Sequence, residues 1–137
     1  MQIKYQNELF LIDGYWDLFE ATGWNDDYKI SKQDLSVVLK NSWYMVAAYD
    51  GDRLVGFGRV ITDGILHAMI YDLITDPEYQ EKGIGSEILT RLVDRCKESN
   101  ISDIQLFCAK GKRKFYEKRG FVARHEESPG MEYKVAK

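Results

Sequence analysis

The period of the apolar positions changes along this chain, and each change marks an element. Ile3 to Tyr5 reads as a short first strand, after which Tyr15, Leu18, Phe19 and Thr22 recur at helical spacing up to Gly23, a residue suited to a helix end. Ser31, with Asp34 placed three residues later, supplies an N-terminal cap and a first-turn acid, and Leu35, Val38 and Leu39 form the apolar stripe of a second helix from about 32 to 41. Between them Gly23 to Tyr28 reads as a loop, with Trp24 and Tyr28 assigned to packing ahead of a substrate mouth.

The middle of the chain carries the strongest strand signal. Trp43 to Tyr49, Leu54 to Ile61 and Ile65 to Ile74 are apolar, β-branched and aromatic runs, joined by Asp50-Gly51 and Asp63-Gly64. Asp-Gly between such runs favours tight hairpins because glycine accepts a positive φ, so an antiparallel meander is predicted. Pro77 ends the third strand. A helix starts near Gly83, with Ile88, Leu89, Leu92, Val93 and Cys96 on one stripe and Glu87 four residues before Arg91 on another. Ile104 to Cys108 then reads as a strand, Lys112 to Arg119 as a short helix closed by Gly120, and Phe121 to Arg124 and Met131 to Val135 as two last strands. This order predicts an α+β (mixed α/β) fold: a central mixed, mostly antiparallel sheet with helices on both faces.

A length of 137 residues suits one domain, 1–137, and 45% hydrophobic with 30% charged residues excludes a disordered or fibrous chain. The net charge of −3 offers no broad cationic surface, so neither a nucleic-acid nor a membrane partner is expected. Without a basic segment leading into an apolar one at MQIKYQNELF, the expected location is cytoplasmic. Cys96 and Cys108 fall in apolar segments and read as structural thiols. His67 and His125, the only imidazoles, lack the short spacing of metal ligands, so no metal is expected. A homodimer is the one assembly kept open.

Chemistry enters at Gln80-Glu81-Lys82-Gly83-Ile84-Gly85-Ser86, between a strand end and a helix start. Two glycines there let successive N–H groups converge on an anion, and the helix start adds partial positive charge, so a phosphate or pyrophosphate fits. A dinucleotide fingerprint would need glycine at Ile88, and a Walker loop would need Gly-Lys-Ser/Thr; both fail on residue identity. A glycine-rich helix entry without ligand stays as the alternative.

The run Leu73-Ile74-Thr75-Asp76-Pro77-Glu78-Tyr79-Gln80 into Gly83-Ile84-Gly85, followed by Phe115-Tyr116-Glu117-Lys118-Arg119-Gly120-Phe121, closely resembles the GNAT superfamily of acetyl-CoA-dependent N-acyltransferases. Its Gln/Arg-x-x-Gly-x-Gly hallmark is similar to Gln80 to Gly85, and its Tyr-Glu-Lys-x-Gly-Phe signature to Tyr116 to Phe121. The resemblance covers residues 43 to 135, and the first 40 in element order only. It implies a small, single-domain, bacterial-type member with the GNAT-type acyl-CoA N-acyltransferase fold.

On that resemblance, pantetheine pairs with the backbone of Leu73, Ile74 and Thr75, and the pyrophosphate sits on the amides of Glu81, Lys82, Gly83, Ile84, Gly85 and Ser86 after Gln80. Lys82, Lys110, Lys112, Arg113 and Lys114 either meet an outer phosphate or form a solvated basic face, the latter favoured for most. Tyr116 matches the family tyrosine that gives a proton to the departing thiolate; packing on its helix is the alternative. Asp72 is the leading group for deprotonating or orienting the amine, directly or through water. In a regular strand Asp72 would face away from Met69, Tyr71 and Leu73, so this role requires the bulge that the family has here. A buried carboxylate bonded to backbone amides is its structural alternative, and His67 is the runner-up base. Where many members have an asparagine seven residues before the tyrosine, this chain has Ala109. An acetylated Cys108 intermediate is not expected, since no adjacent base is visible.

The resulting expectation is an enzyme, an acetyl-CoA-dependent N-acetyltransferase acting on a small primary amine by direct attack in a ternary complex. Asp26, Asp27, Glu126 and Glu127 would suit a cationic acceptor or form solvated loops. The alternatives are an acetyltransferase of protein N-termini or lysines, and a non-catalytic acetyl-CoA-binding module.

Overall fold

The computed structural model describes residues 2–135. It divides into two compact units, Met1–Gln105 and Leu106–Lys137.

The first unit begins with β1 (Ile3–Gln6), followed by α1 (Ile12–Ala21), α2 (Asn25–Tyr28) and α3 (Lys32–Lys40). The meander is β2 (Tyr44–Asp50), β3 (Arg53–Thr62) and β4 (His67–Thr75), and α4 (Ile84–Glu98) leads to β5 (Asp103–Leu106). Strand order across the sheet is β1-β2-β3-β4-β5, with β1–β2, β2–β3 and β3–β4 antiparallel. The start of β5 meets the start of β4, Asp103 N–H donating to Leu66 O at 2.8 Å, as the crossover through α4 requires.

Local chemistry accounts for the boundaries. Ser31 accepts from the Asp34 N–H and Asp34 accepts from the Ser31 N–H, a complete capping box that starts α3. Both meander turns place glycine at positive φ, Gly51 at 60° and Gly64 at 84°. The run Gly23 to Tyr28 is not a plain loop, because Asn25–Tyr28 winds into the single turn α2. Its aromatics pack on Phe19, Tyr28 stacked at 6.5 Å and Trp24 edge-on at 6.2 Å.

The two sheet faces bury different cores. One is an aromatic and aliphatic cluster in which Tyr15, Phe19, Leu35 and Leu39 close over Tyr49, Phe57 and Ile74. The other carries α4, whose Ile88, Leu89 and Leu92 are fully buried. This helix comes so close because β3 has Gly56 and Gly58 beneath it: a Cβ on Gly58 would stand 2.8 Å from Leu92 Cδ1 and 2.9 Å from Ile88 Cγ2.

The second unit has one helix, α5 (Arg113–Glu117), closed by Gly120 at φ 92°. Here the structure corrects the sequence reading twice. β5 stops at Leu106, short of Cys108, and neither Phe121 to Arg124 nor Met131 to Val135 forms a strand. The alternation of Met131, Tyr133 and Val135 has a strand's period, but a strand also needs a buried face and a ladder partner. These side chains are largely exposed, Tyr133 at 88%, so burial gives no reason to extend the chain.

Candidate active site

Asp72 is where the sheet breaks its own pattern. Phe57 pairs with Ile74 and Arg59 with Tyr71, so two steps along β3 face three along β4. The extra residue is a β-bulge, and Asp72 sits in it with φ at 56°, a conformation uncommon outside glycine, asparagine and aspartate. The bulge required by the proposed role is therefore present. It turns Asp72 to the same side as Tyr71, since Arg59 reaches both: its Nε donates to Asp72 Oδ2 at 2.6 Å, and its guanidinium lies 5.6 Å from the Tyr71 ring centre.

Arg59 was missed in the sequence reading. It is the buried charged residue of the described chain, 9% exposed, and its Nη1 also donates to Ser42 Oγ at 3.3 Å. The signal was available: an arginine inside the apolar run Leu54 to Ile61 needs a reason for burial, just as Asp72 does in its own run. The Asp72 carboxylate is thus held by a guanidinium rather than by the backbone amides of the structural alternative. Tyr15 was missed as well. Its ring lies 4.2 Å from that of Phe57, tilted by 39°, and is fully buried. Burial pushes its pKa far up; the adjacent Asp72 carboxylate adds to this as a charge and as a hydrogen-bond acceptor, though outside strict bonding geometry, while Arg59 opposes it.

Beyond the bulge Leu73 turns toward α4 and Ile74 into the opposite core, and Asp76 N–H donates to Val55 O at 2.8 Å. Asp76 then caps a single 3₁₀ turn, Pro77–Tyr79, its Oδ1 accepting from the Glu78 N–H at 2.9 Å. A surface clamp holds this turn to the β2–β3 hairpin. Arg53 reaches Asp76 at 2.9 Å and Glu78 at 2.8 Å, and the Tyr79 hydroxyl donates to Asp50 at 2.6 Å.

The chain next runs through Gln80, Glu81 at φ 62° and Gly83 at φ 83° into α4. Glu87 N–H to Gly83 O, 3.0 Å, is the first bond of that helix. Gln80, Glu81, Lys82 and Gly83 are exposed, Gly85 and Ser86 partly so, while Ile84 is buried as the anchor of the turn. This exposed start, at the positive end of a 15-residue helix, can receive an anion.

The model of the acetyltransferase (GNAT) domain matches residues 21–131. The chain belongs to the acetyltransferase (GNAT) family. The chain is similar to the uncharacterized N-acetyltransferase ycf52 of Pyropia yezoensis, 29% identical over 83% of this chain and 66% of that protein. It is also similar to the histone acetyltransferase TAP1 of Glycine max, 30% identical over 71% of this chain and 47% of that one. It therefore spans about two thirds or less of the length of these relatives. Among solved structures, a probable acetyltransferase of unknown function from methicillin-resistant Staphylococcus aureus superposes with a TM-score of 0.80. That protein shares 26% identity, over 98% of this chain and 100% of the other.

Other predicted residues of this GNAT chain are placed as follows. His67 is exposed, its Nδ1 3.1 Å from Asp103 Oδ2. Asp26 and Asp27 lie exposed in the first turn of α2. In the second unit Tyr116 is half-buried between Phe115, 5.1 Å between ring centres, and Phe121, 5.9 Å. Burial raises its pKa and nearby Cys108 adds to the rise, so the phenol keeps its proton. Cys108 is exposed, its thiol donating to Ala109 O at 3.2 Å. Among the described residues no helix is long and apolar enough to cross a membrane.

Proposed function

We propose that this GNAT protein is an acetyl-CoA-dependent N-acetyltransferase whose acceptor is the primary amine of a small molecule, with residues 1–137 acting as one domain. The observation that carries the reading is the junction of the β4 bulge with the α4 start: a carboxylate in strained backbone, then strand, then an exposed helix start. We assign pantetheine to the backbone of Leu73, Ile74 and Thr75, and the pyrophosphate to the amides of Glu81 to Ser86, with Gln80 leading into them. Acetyl-CoA is the co-substrate that supplies the activated acetyl group.

A lysine-like amine has a pKa of about 10.4 and arrives as a cation, so it must lose a proton before it attacks. Asp72 takes that proton, directly or through water, while Arg59 keeps the carboxylate in place. The freed nitrogen lone pair bonds to the thioester carbonyl carbon, the nitrogen gives its second proton to solvent, the carbon–sulfur bond breaks, and the sulfur receives its proton from Tyr116, which recovers one from solvent while Asp72 releases the first. The products are the amide, coenzyme A and one proton. For Tyr116 the support is its place in the Tyr116 to Phe121 motif together with its raised pKa. The free thiols of Cys96 and Cys108 suit a reducing compartment such as the cytoplasm.

A protein or peptide amine is the second reading, favoured by the likeness to the histone acetyltransferase of Glycine max. One screen separates the readings: coenzyme A thiol release from acetyl-CoA with spermidine, glucosamine 6-phosphate, free lysine, a peptide with a free N-terminus and a lysine peptide blocked at that end. Release with free amines supports the proposal, release with peptides alone replaces it by the second reading, and acetyl-CoA binding without release supports a non-catalytic module.

A further inference from the structure

Tyr15 poses a question that the acetyl-transfer reading leaves unanswered. Its ring belongs to the core over β3, where the neighbouring aromatics Phe19 and Phe57 have no polar atom. A phenylalanine would fill the same space. The hydroxyl is instead retained, outside strict hydrogen-bond geometry yet close enough to the Asp72 carboxylate for that group to act on it as both charge and acceptor. A polar atom kept in an otherwise apolar core calls for an explanation, and function is the common one.

What surrounds the hydroxyl supplies it. The Tyr15 ring packs against Phe57 at a tilt, and Arg59 lies two residues further along the same strand on the same face. Arg59 brings in the Asp72 carboxylate from the bulge, so one phenol, one guanidinium and one carboxylate gather where the sheet is distorted. Burial, the Asp72 charge and hydrogen bonding toward that carboxylate keep the phenol protonated, so it stands beside Asp72 as a donor. Among the described residues Arg59 is the other charged group acting on it, and the guanidinium is also met by Ser42 and the Tyr71 ring.

We propose that Tyr15 is a positioning residue: its buried hydroxyl, set beside the Arg59–Asp72 pair, donates to the Asp72 carboxylate and fixes the orientation in which Asp72 takes up the acceptor's proton. The inference rests on the role proposed for Asp72. Tyr15 touches neither substrate, so its effect belongs to turnover and not to acetyl-CoA binding.

Tyr15→Phe tests this, because a purely structural role and a positioning role predict opposite patterns. Phenylalanine keeps the ring's packing, so the variant should stay folded at the assay temperature, read by circular dichroism. The kcat, measured with the best acceptor of the amine and peptide panel, should fall about 10-fold, the size of one charge-assisted hydrogen bond, with KM for acetyl-CoA unchanged. In an Asp72→Asn background the same change should have no further effect on kcat. A parental kcat in Tyr15→Phe, or the same fall in kcat on an Asp72→Asn background, overturns the inference. Slow Asp72→Asn beside parental Tyr15→Phe overturns it alone, whereas parental kcat in Asp72→Asn, or no release from any panel member, overturns the proposed function and this inference with it. Should Asp72→Asn melt below the assay temperature because it leaves Arg59 buried and unpaired, Tyr15→Phe decides by itself.

Discussion

Gly58→Ala is the sharpest test of how the sheet holds the helix that presents the anion-binding amides. The added methyl would lie 2.8 Å from Leu92 Cδ1, 2.9 Å from Ile88 Cγ2 and 3.3 Å from Leu73 Cδ1. Carbon atoms rest about 3.5–4.0 Å apart, so two buried side chains must each retreat by roughly 0.6 Å or more. Ile88 cannot swing aside, since a β-branched residue in a helix keeps essentially one χ1 rotamer, and Ile88 and Leu92 are both fully buried in a core without spare volume. Overpacking of this kind costs about 1–3 kcal/mol, and the backbone gain of about 0.5–1 kcal/mol on replacing a strand glycine offsets part of it. A net loss of about 1–2 kcal/mol should lower Tm by roughly 3–8 °C, read by circular dichroism at fixed concentration. The displaced helix should also weaken acetyl-CoA binding, because its start moves with it. Gly83→Ala is the control: nothing lies within 4 Å of a Cβ there, so the cost is torsional, from φ 83°. A Gly58→Ala protein with parental or higher Tm would refute the claim that α4 rests on a glycine-paved strand.

The remaining predictions concern the proposed site and one turn. Gly83→Val should raise the acetyl-CoA dissociation constant in titration calorimetry while the protein stays folded, since the required positive φ disfavours any side chain; unchanged affinity would remove the phosphate assignment. Tyr116→Phe should lower kcat by roughly 10- to 10³-fold with acetyl-CoA affinity preserved. Where chemistry limits the rate, the parent should lose activity only above about pH 10, as its raised pKa is passed and the donor ionises, and the variant should lack that limb. Asp63 Oδ1 accepts from the N–H groups of Ile65, Leu66 and His67, and the first two bonds chiefly hold its pKa below the usual 3.8. A depressed folded pKa stabilises above the unfolded value and loses that effect as pH falls through the folded one. The Tm difference between parent and Asp63→Ala should therefore be constant above about pH 4 and shrink below it; a difference independent of pH would contradict this.

Elements set by local chemistry were legible in the sequence. The Asp-Gly pairs fixed both meander turns, the Ser31–Asp34 box started α3, and the stripe from Ile88 to Cys96 defined α4. What failed depended on partners distant in sequence. Residues 121–124 and 131–135 alternate like strands, yet a strand exists only where another backbone pairs with it. At the candidate site, the motifs of Gln80 to Gly85 and Tyr116 to Phe121 lie in contiguous runs and were found. The bulge at Asp72 follows from a register between two strands, and only the family resemblance anticipated it. Arg59 stands out in the sequence as a charge inside an apolar run, but that it and Tyr15 act on Asp72 from β3 and α1 follows only from the way the elements pack.

The most direct test of the account is to incubate the protein with acetyl-CoA and its best acceptor and to measure, in the same samples, coenzyme A thiol and acetylated amine by mass spectrometry. Acetyl transfer predicts one acetylated amine for each thiol released above the acceptor-free rate, with both products lost together in Tyr116→Phe. Thiol released without acetylated amine, or neither product with any acceptor of the panel, would contradict it.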